Sequence, residues 1–115
     1  MDALRLSVFN IVGNSFCVEA DDGQKVFERI ASALKADKRV ELSFQNVEML
    51  TSAFLNTAVG RLYRDFTEEL IRDSLQVVQM DATDLALLKR VVETAKLFYK
   101  DPERLQRSIN ELMES

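Results

Sequence analysis

A chain of 115 residues is long enough to bury one hydrophobic core and too short for two independent ones. Its 47% apolar and 30% charged residues exclude a disordered chain, and apolar runs of only a few residues exclude a helical membrane span. A net charge of −4 without a dense basic stripe argues against nucleic acid and anionic membrane as partners. Met1 to Arg5 lack the basic segment and long apolar stretch of a secretory signal, so a cytoplasmic location is expected. The single cysteine, Cys17, leaves no disulfide framework and no cysteine-based zinc cluster.

One Pro and three Gly supply no linker, and the chain reads as a single domain over residues 1–115. Leu4 to Val12 and Phe16 to Ala20 have strand composition, and Gly13-Asn14 between them suits a tight turn, which predicts an antiparallel pair. Asp21, Asp22 and Gly23 end the second strand and offer a helix cap. Val26, Phe27, Ile30, Ala31 and Leu34 then recur at helical spacing through about Ala36. Val40, Leu42 and Phe44 alternate with Glu41 and Ser43, which is strand periodicity.

The next helix starts near Thr51 or Ser52 and buries Phe54, Leu55, Ala58, Val59 and Leu62, with Tyr63 and Phe66 extending the stripe. Thr67 to Asp73 reads as a short helix or helical turn and Leu75 to Met80 as a strand. Asp81 or Thr83 can cap a helix presenting Leu85, Leu88, Val91, Val92, Ala95 and Phe98. Asp101-Pro102-Glu103 signals the start of an appended C-terminal helix over 101–115, with Leu105, Ile109, Leu112 and Met113 on one stripe. The expected order is ββαβαβαα, giving a small open α/β sheet, mixed because of one antiparallel edge, with helices packed on it. Loops at the carboxyl ends of the parallel strands share one edge, where such folds place their sites. Asp21 to Gln24, Gln45 to Ser52 and Asp81 to Asp84 are expected there.

The chemistry available at that edge is narrow. Histidine is absent, which removes the usual general base for a Ser or Cys nucleophile and the commonest transition-metal ligand. Gly13, Gly23 and Gly60 are isolated and form no phosphate loop. No catalytic, metal or cofactor-binding residue is therefore assigned. Asp21, Asp22, Glu48, Asp81 and Asp84 have oxygen ligands suited to Mg²⁺, but the central strand ends Leu42-Ser43-Phe44-Gln45-Asn46 without the acid of a phosphoacceptor. Helix capping and first-turn dipole pairing account for the same acids. Thr51 and Ser52 have two uses that residue type alone does not separate. A hydroxyl there caps the helix, and a phosphoryl group there adds nearly two negative charges beside Glu48, which opposes binding of a partner.

Arg39 to Tyr63 carries a family resemblance. Val40 to Phe44, Val47, Thr51-Ser52-Ala53-Phe54 and Gly60, with Gln76 to Asp81 and the following Leu85, Leu87, Leu88, Lys89 and Arg90, resemble the bacterial STAS-like domains of unknown function. That family is distantly similar to the STAS anti-sigma-factor antagonists. The similarity runs from about Val18 to Val92. It implies an α/β regulatory module that binds a protein partner such as a histidine-kinase-like ATP-binding regulator, and the lack of catalytic groups makes that module non-catalytic and without cofactor. Aligned on Gly60-Arg61, the antagonists' phosphorylated hydroxyl falls at Ala53, with Ser52 one residue before it. Ser52 and Thr51 are accordingly the candidate regulatory hydroxyls, and Gln45, Asn46, Glu48, Thr51, Ser52 and Asn56 the candidate partner surface. Alternatives are a homo-oligomeric scaffold built on the last helix, and a Mg²⁺-dependent enzyme or small-ligand binder using the acidic edge.

Overall fold

The computed structural model describes residues 3–100. In chain order the elements are β1 (Ala3–Ser7), α1 (Val8–Val12), β2 (Phe16–Cys17), α2 (Ala20–Lys35), β3 (Arg39–Ser43) and β4 (Met49–Leu50). They continue with α3 (Ser52–Leu55), a π-helical turn (Asn56–Gly60), α4 (Leu62–Asp65), α5 (Glu68–Ser74), β5 (Leu75–Val78) and α6 (Ala82–Lys100). The expected appended helix lies outside the described residues.

The first departure from the strand pattern comes at Ser7. Its hydroxyl accepts a hydrogen bond from the Asn10 N–H at 3.2 Å, which caps a one-turn helix where a continuous strand to Val12 is expected. Gly13 ends that helix with φ +90°, and its N–H reaches the Phe9 carbonyl at 2.8 Å. The same Gly that suits a hairpin thus serves as a helix stop, and the antiparallel pair does not form. A capping Ser and a terminal Gly six residues apart outweigh the strand propensity of Val8, Ile11 and Val12.

Every strand pair among the described residues is parallel, so the sheet is not mixed. One sheet has the order β1-β3-β5, and β2 pairs with β4 in a separate two-stranded ribbon. In the larger sheet, Leu4, Val40 and Leu75 lie in one row and Leu6, Leu42 and Val77 in another. Because side chains alternate across a strand, these two rows share a face. Arg5, Glu41 and Gln76, then Ser7, Ser43 and Val78, make up the other face.

Leu6, Val40 and Leu42 are buried together with Val26, Ile30 and Leu34 of α2, Phe54, Leu55, Ala58 and Leu62 of the central helical stretch, Ile71, and Leu88 and Val91 of α6. Burying each large aliphatic or aromatic side chain contributes about 1.5–3 kcal/mol, and this one cluster accounts for the helical stripes read in the sequence.

Gly23 sets how closely α2 approaches the central helices. A Cβ at this position would lie 2.6 Å from the Phe54 carbonyl oxygen and 3.0 Å from the Thr57 Cβ. Arg61 also donates to the Gln24 Oε1, tying the end of the π-helical turn to the same stretch of α2. Asp21 and Asp22 sit in the first turn of α2, whose N-cap is Glu19 without a side-chain bond. They are therefore first-turn acids paired with the helix dipole, one of the two roles expected for them, and neither is the cap.

Candidate functional site

The Thr51 helix start is built by two short chain segments zipped together. The Glu48 N–H donates to the Ser15 carbonyl at 2.9 Å, the Thr51 N–H donates to the Cys17 carbonyl at 3.3 Å, and the Ser15 hydroxyl donates to the Glu48 carboxylate at 2.9 Å. In the ribbon between them Phe16 stands opposite Met49 and Cys17 opposite Leu50. Alternation sends Cys17 into the core, where it is fully buried, and leaves Phe16 and Met49 each 52% exposed. Burial, with the Asp22 charge second, pushes the Cys17 thiol up to about 11, so it is not a nucleophile at neutral pH.

Thr51 and Ser52 separate cleanly. The Thr51 hydroxyl donates to the Val18 carbonyl at 2.7 Å and accepts from the Phe54 N–H at 3.2 Å, so both its hydrogen-bonding roles are used in holding the helix start. Ser52, the first residue of α3, is exposed, and its hydroxyl has no hydrogen-bond partner among the described residues. Glu48 is exposed four residues before it. Downstream the helix widens into the π-helical turn, where the Arg61 N–H reaches back five residues to the Asn56 carbonyl at 3.1 Å. Asn56 is exposed on that turn and lines a small cleft with Phe98 and Tyr99.

Gln45 and Asn46, expected on the same surface, belong to a different place. Both line a polar cleft of about 470 Å³ with Arg5, Asn10 and Arg29. The expected surface is thus divided, with Glu48, Thr51 and Ser52 on the ribbon side and Gln45 and Asn46 at the carboxyl edge of the larger sheet. Phe16 and Met49 were missed by sequence reasoning. The signal for Phe16 was its alternation with Cys17, which puts one of the two outside whenever the other is core.

The acids do not converge. Asp22 lies 3.3 Å from Lys25, Glu48 accepts from Ser15, and the Asp81 carboxylate accepts from the Asp84 N–H at 2.8 Å as a helix cap. Partial burial, reinforced by Asp81, raises the pKa of Asp84. Among the described residues no group of three or more His, Cys, Asp or Glu is placed to hold a metal ion. The acidic edge expected as a Mg²⁺ or ligand site is therefore not assembled from these residues.

A family model, the STAS-like domain of unknown function (DUF4325), matches residues 22–85, more than half of the chain. The protein belongs to this family. The matched stretch of the STAS-like domain begins in the first turn of α2, contains β3, the ribbon strand β4, the Thr51 helix start and β5, and ends early in α6. Phe16 and the first sheet strand lie before it. No curated protein and no solved structure matches the chain. No helix among the described residues is long and apolar enough to cross a membrane.

Proposed function

We propose that this STAS-like domain is a non-catalytic regulatory module that binds a protein partner through the surface formed by Phe16, Met49, Glu48 and Ser52. The observation carrying this reading is the Phe16–Met49 pair. Two large apolar side chains stand directly opposite each other on a two-stranded ribbon, half exposed, with Ser15 and Glu48 hydrogen-bonded beside them. Aromatic and Met side chains ringed by polar groups are the composition of an interface centre.

Ser52 supplies the switch. Its exposed hydroxyl stands three residues after Met49, on a helix start that Thr51 already holds, so modification of Ser52 leaves the cap intact. A phosphoryl group there adds nearly two negative charges next to an apolar contact and near Glu48, which weakens association by repulsion and desolvation. The partner class this reading favours is a histidine-kinase-like ATP-binding regulator, in keeping with the similarity of STAS-like domains to the antagonists.

The test is co-purification of the tagged chain from its native cytoplasm, comparing wild type with Phe16→Ser/Met49→Ser, Glu48→Lys and Ser52→Glu. Loss of one common partner in the apolar double variant and in Ser52→Glu, with unchanged circular dichroism, is expected. Undiminished capture by all three variants removes this surface from consideration.

A second reading, self-association through α6, is favoured by Leu97 at 55% and Phe98 at 40% exposure near its end. Light scattering across the micromolar range decides it. A strictly monomeric mass refutes self-association and leaves the ribbon surface unaffected.

A further inference from the structure

We propose that the cleft at the carboxyl edge of the larger sheet is a binding site for a small phosphate-bearing anion. The edge is where β1 and β3 end in parallel, and the cleft there is lined by Arg5 of β1 and Arg29 of α2 without any Asp or Glu among its lining residues. Two arginines line this one cleft, which has no acid among its lining residues, in a chain of net charge −4.

The two arginines are held differently. The Gln79 Oε1 accepts from Arg5 at 2.8 Å and from the Ser43 hydroxyl at 2.7 Å, and Glu41 stands 3.7 Å from the other Arg5 terminal nitrogen. Ser43 is the one buried polar side chain among the described residues, at 3% exposure, and its oxygen also accepts from the Gln45 N–H. Arg5 is therefore fixed to the sheet by a buried hydroxyl through one amide. Arg29 has no ion pair or hydrogen bond from its side chain among the described residues. Arg5 already has Glu41 as a counter-charge, so Arg29 is the cation of the cleft left to pair with a ligand.

The backbone adds a second, independent observation. Of the three non-glycine residues with positive φ, two stand at this edge, Asn46 at +70° and Gln79 at +55°. Each left-handed residue costs about 1 kcal/mol or more, and such strain gathers where side-chain placement matters more than stability. Asn46 lines the cleft, and Gln79 accepts the hydrogen bond that holds Arg5.

Phosphate fits the donor set better than a single carboxylate. A phosphate monoester carries nearly two negative charges and three acceptor oxygens, against the unpaired Arg29, the Glu41-paired Arg5 and the donating amides of Asn10, Gln45 and Asn46. Leu6 and Ile11 supply an apolar wall, and a volume of about 470 Å³ lies within the range of small-molecule sites, leaving room for the organic part of an ester.

The experiment is a titration of the full-length protein followed by amide ¹H–¹⁵N shifts at constant ionic strength, with inorganic phosphate, glycerol 3-phosphate and succinate as separate probes. Saturable shifts centred on Asn10, Gln45 and Asn46, weakened about tenfold or more in Arg29→Gln, are expected for the phosphate probes. Tighter binding of the ester makes an organic phosphate the ligand, and equal binding makes it phosphate itself; both outcomes support the site. Absence of saturation, equal binding of succinate, or shifts unchanged in Arg29→Gln overturns it. Arg29 is exposed on α2 and is not a residue of the Phe16–Met49 ribbon, so partner capture by Arg29→Gln in the co-purification assay keeps the two surfaces' failures distinguishable.

Discussion

Thr51→Ala removes one hydroxyl and two hydrogen bonds. The cap to the Phe54 N–H is worth about 1 kcal/mol, and the bond to the Val18 carbonyl, in a half-buried position, about 1 kcal/mol more. Thr51→Ala is therefore expected to lose about 2 kcal/mol, measured by urea unfolding followed by circular dichroism, with an unchanged denaturant slope. Thr51→Ser keeps the oxygen in place and should recover most of the loss. Ser52→Ala, which deletes a hydroxyl without a protein partner, should stay within about 0.5 kcal/mol of wild type. The contrast between the neighbours is the informative quantity, since both are hydroxyl residues at one helix start. If Ser52→Ala costs as much as Thr51→Ala, or if Thr51→Ala is neutral, the division into a structural and a free hydroxyl fails, and with it the choice of Ser52 as the switch.

Gly23→Ala sets two effects against each other: helix propensity favours Ala by about 1 kcal/mol, whereas a Cβ 2.6 Å from the Phe54 carbonyl oxygen forces overpacking worth about 1–3 kcal/mol. Net destabilisation by thermal unfolding is expected, and a stabilised variant would show that α2 does not approach the central helices so closely. Cys17 should resist iodoacetamide in the native protein at pH 8 and react once unfolded; rapid native labelling contradicts its burial. The raised thiol pKa also has a pH signature. With an ordinary value near 9 in the unfolded chain and about 11 in the folded one, both states stay protonated below pH 9, and above it the unfolded state loses its proton first. Stability should accordingly fall between about pH 9 and 11, and Cys17→Ala should flatten that part of the profile.

The helical part of the fold was legible because its signals are redundant. Val26, Ile30 and Leu34, and Phe54, Leu55, Ala58 and Leu62, repeat at helical spacing, and all seven are buried where the pattern puts them. The start of the chain was not legible for the opposite reason. Val8, Ile11 and Val12 suit a strand by residue type, and only the capping bond of Ser7 and the positive φ of Gly13 decide for a helix. Once that turn is helical, β1 is free to pair in parallel with β3 and the next segment is carried to β4. One local misreading thus accounts for both the antiparallel edge and the hidden ribbon. The π-helical turn left no trace in the pattern, since Ala58 and Val59 remain in the core either way.

The candidate surface divided for a geometric reason that residue type does not encode. Gln45 and Asn46 directly follow β3 and so remain at the carboxyl edge of the larger sheet, while the positive φ of Asn46 turns the chain away before Glu48 joins Ser15. Within three residues the loop passes from an acid-free cleft lined by two arginines to an acid beside an exposed aromatic. Val47, packed against the core between them, anchors the loop at its middle. The proposed cleft and the proposed ribbon surface therefore share the short segment from Gln45 to Met49. Two chain segments join the cleft to the ribbon, Gln45 to Glu48 after β3 and Asn10 to Ser15 from α1, and the bond from the Glu48 N–H to the Ser15 carbonyl ties their far ends together.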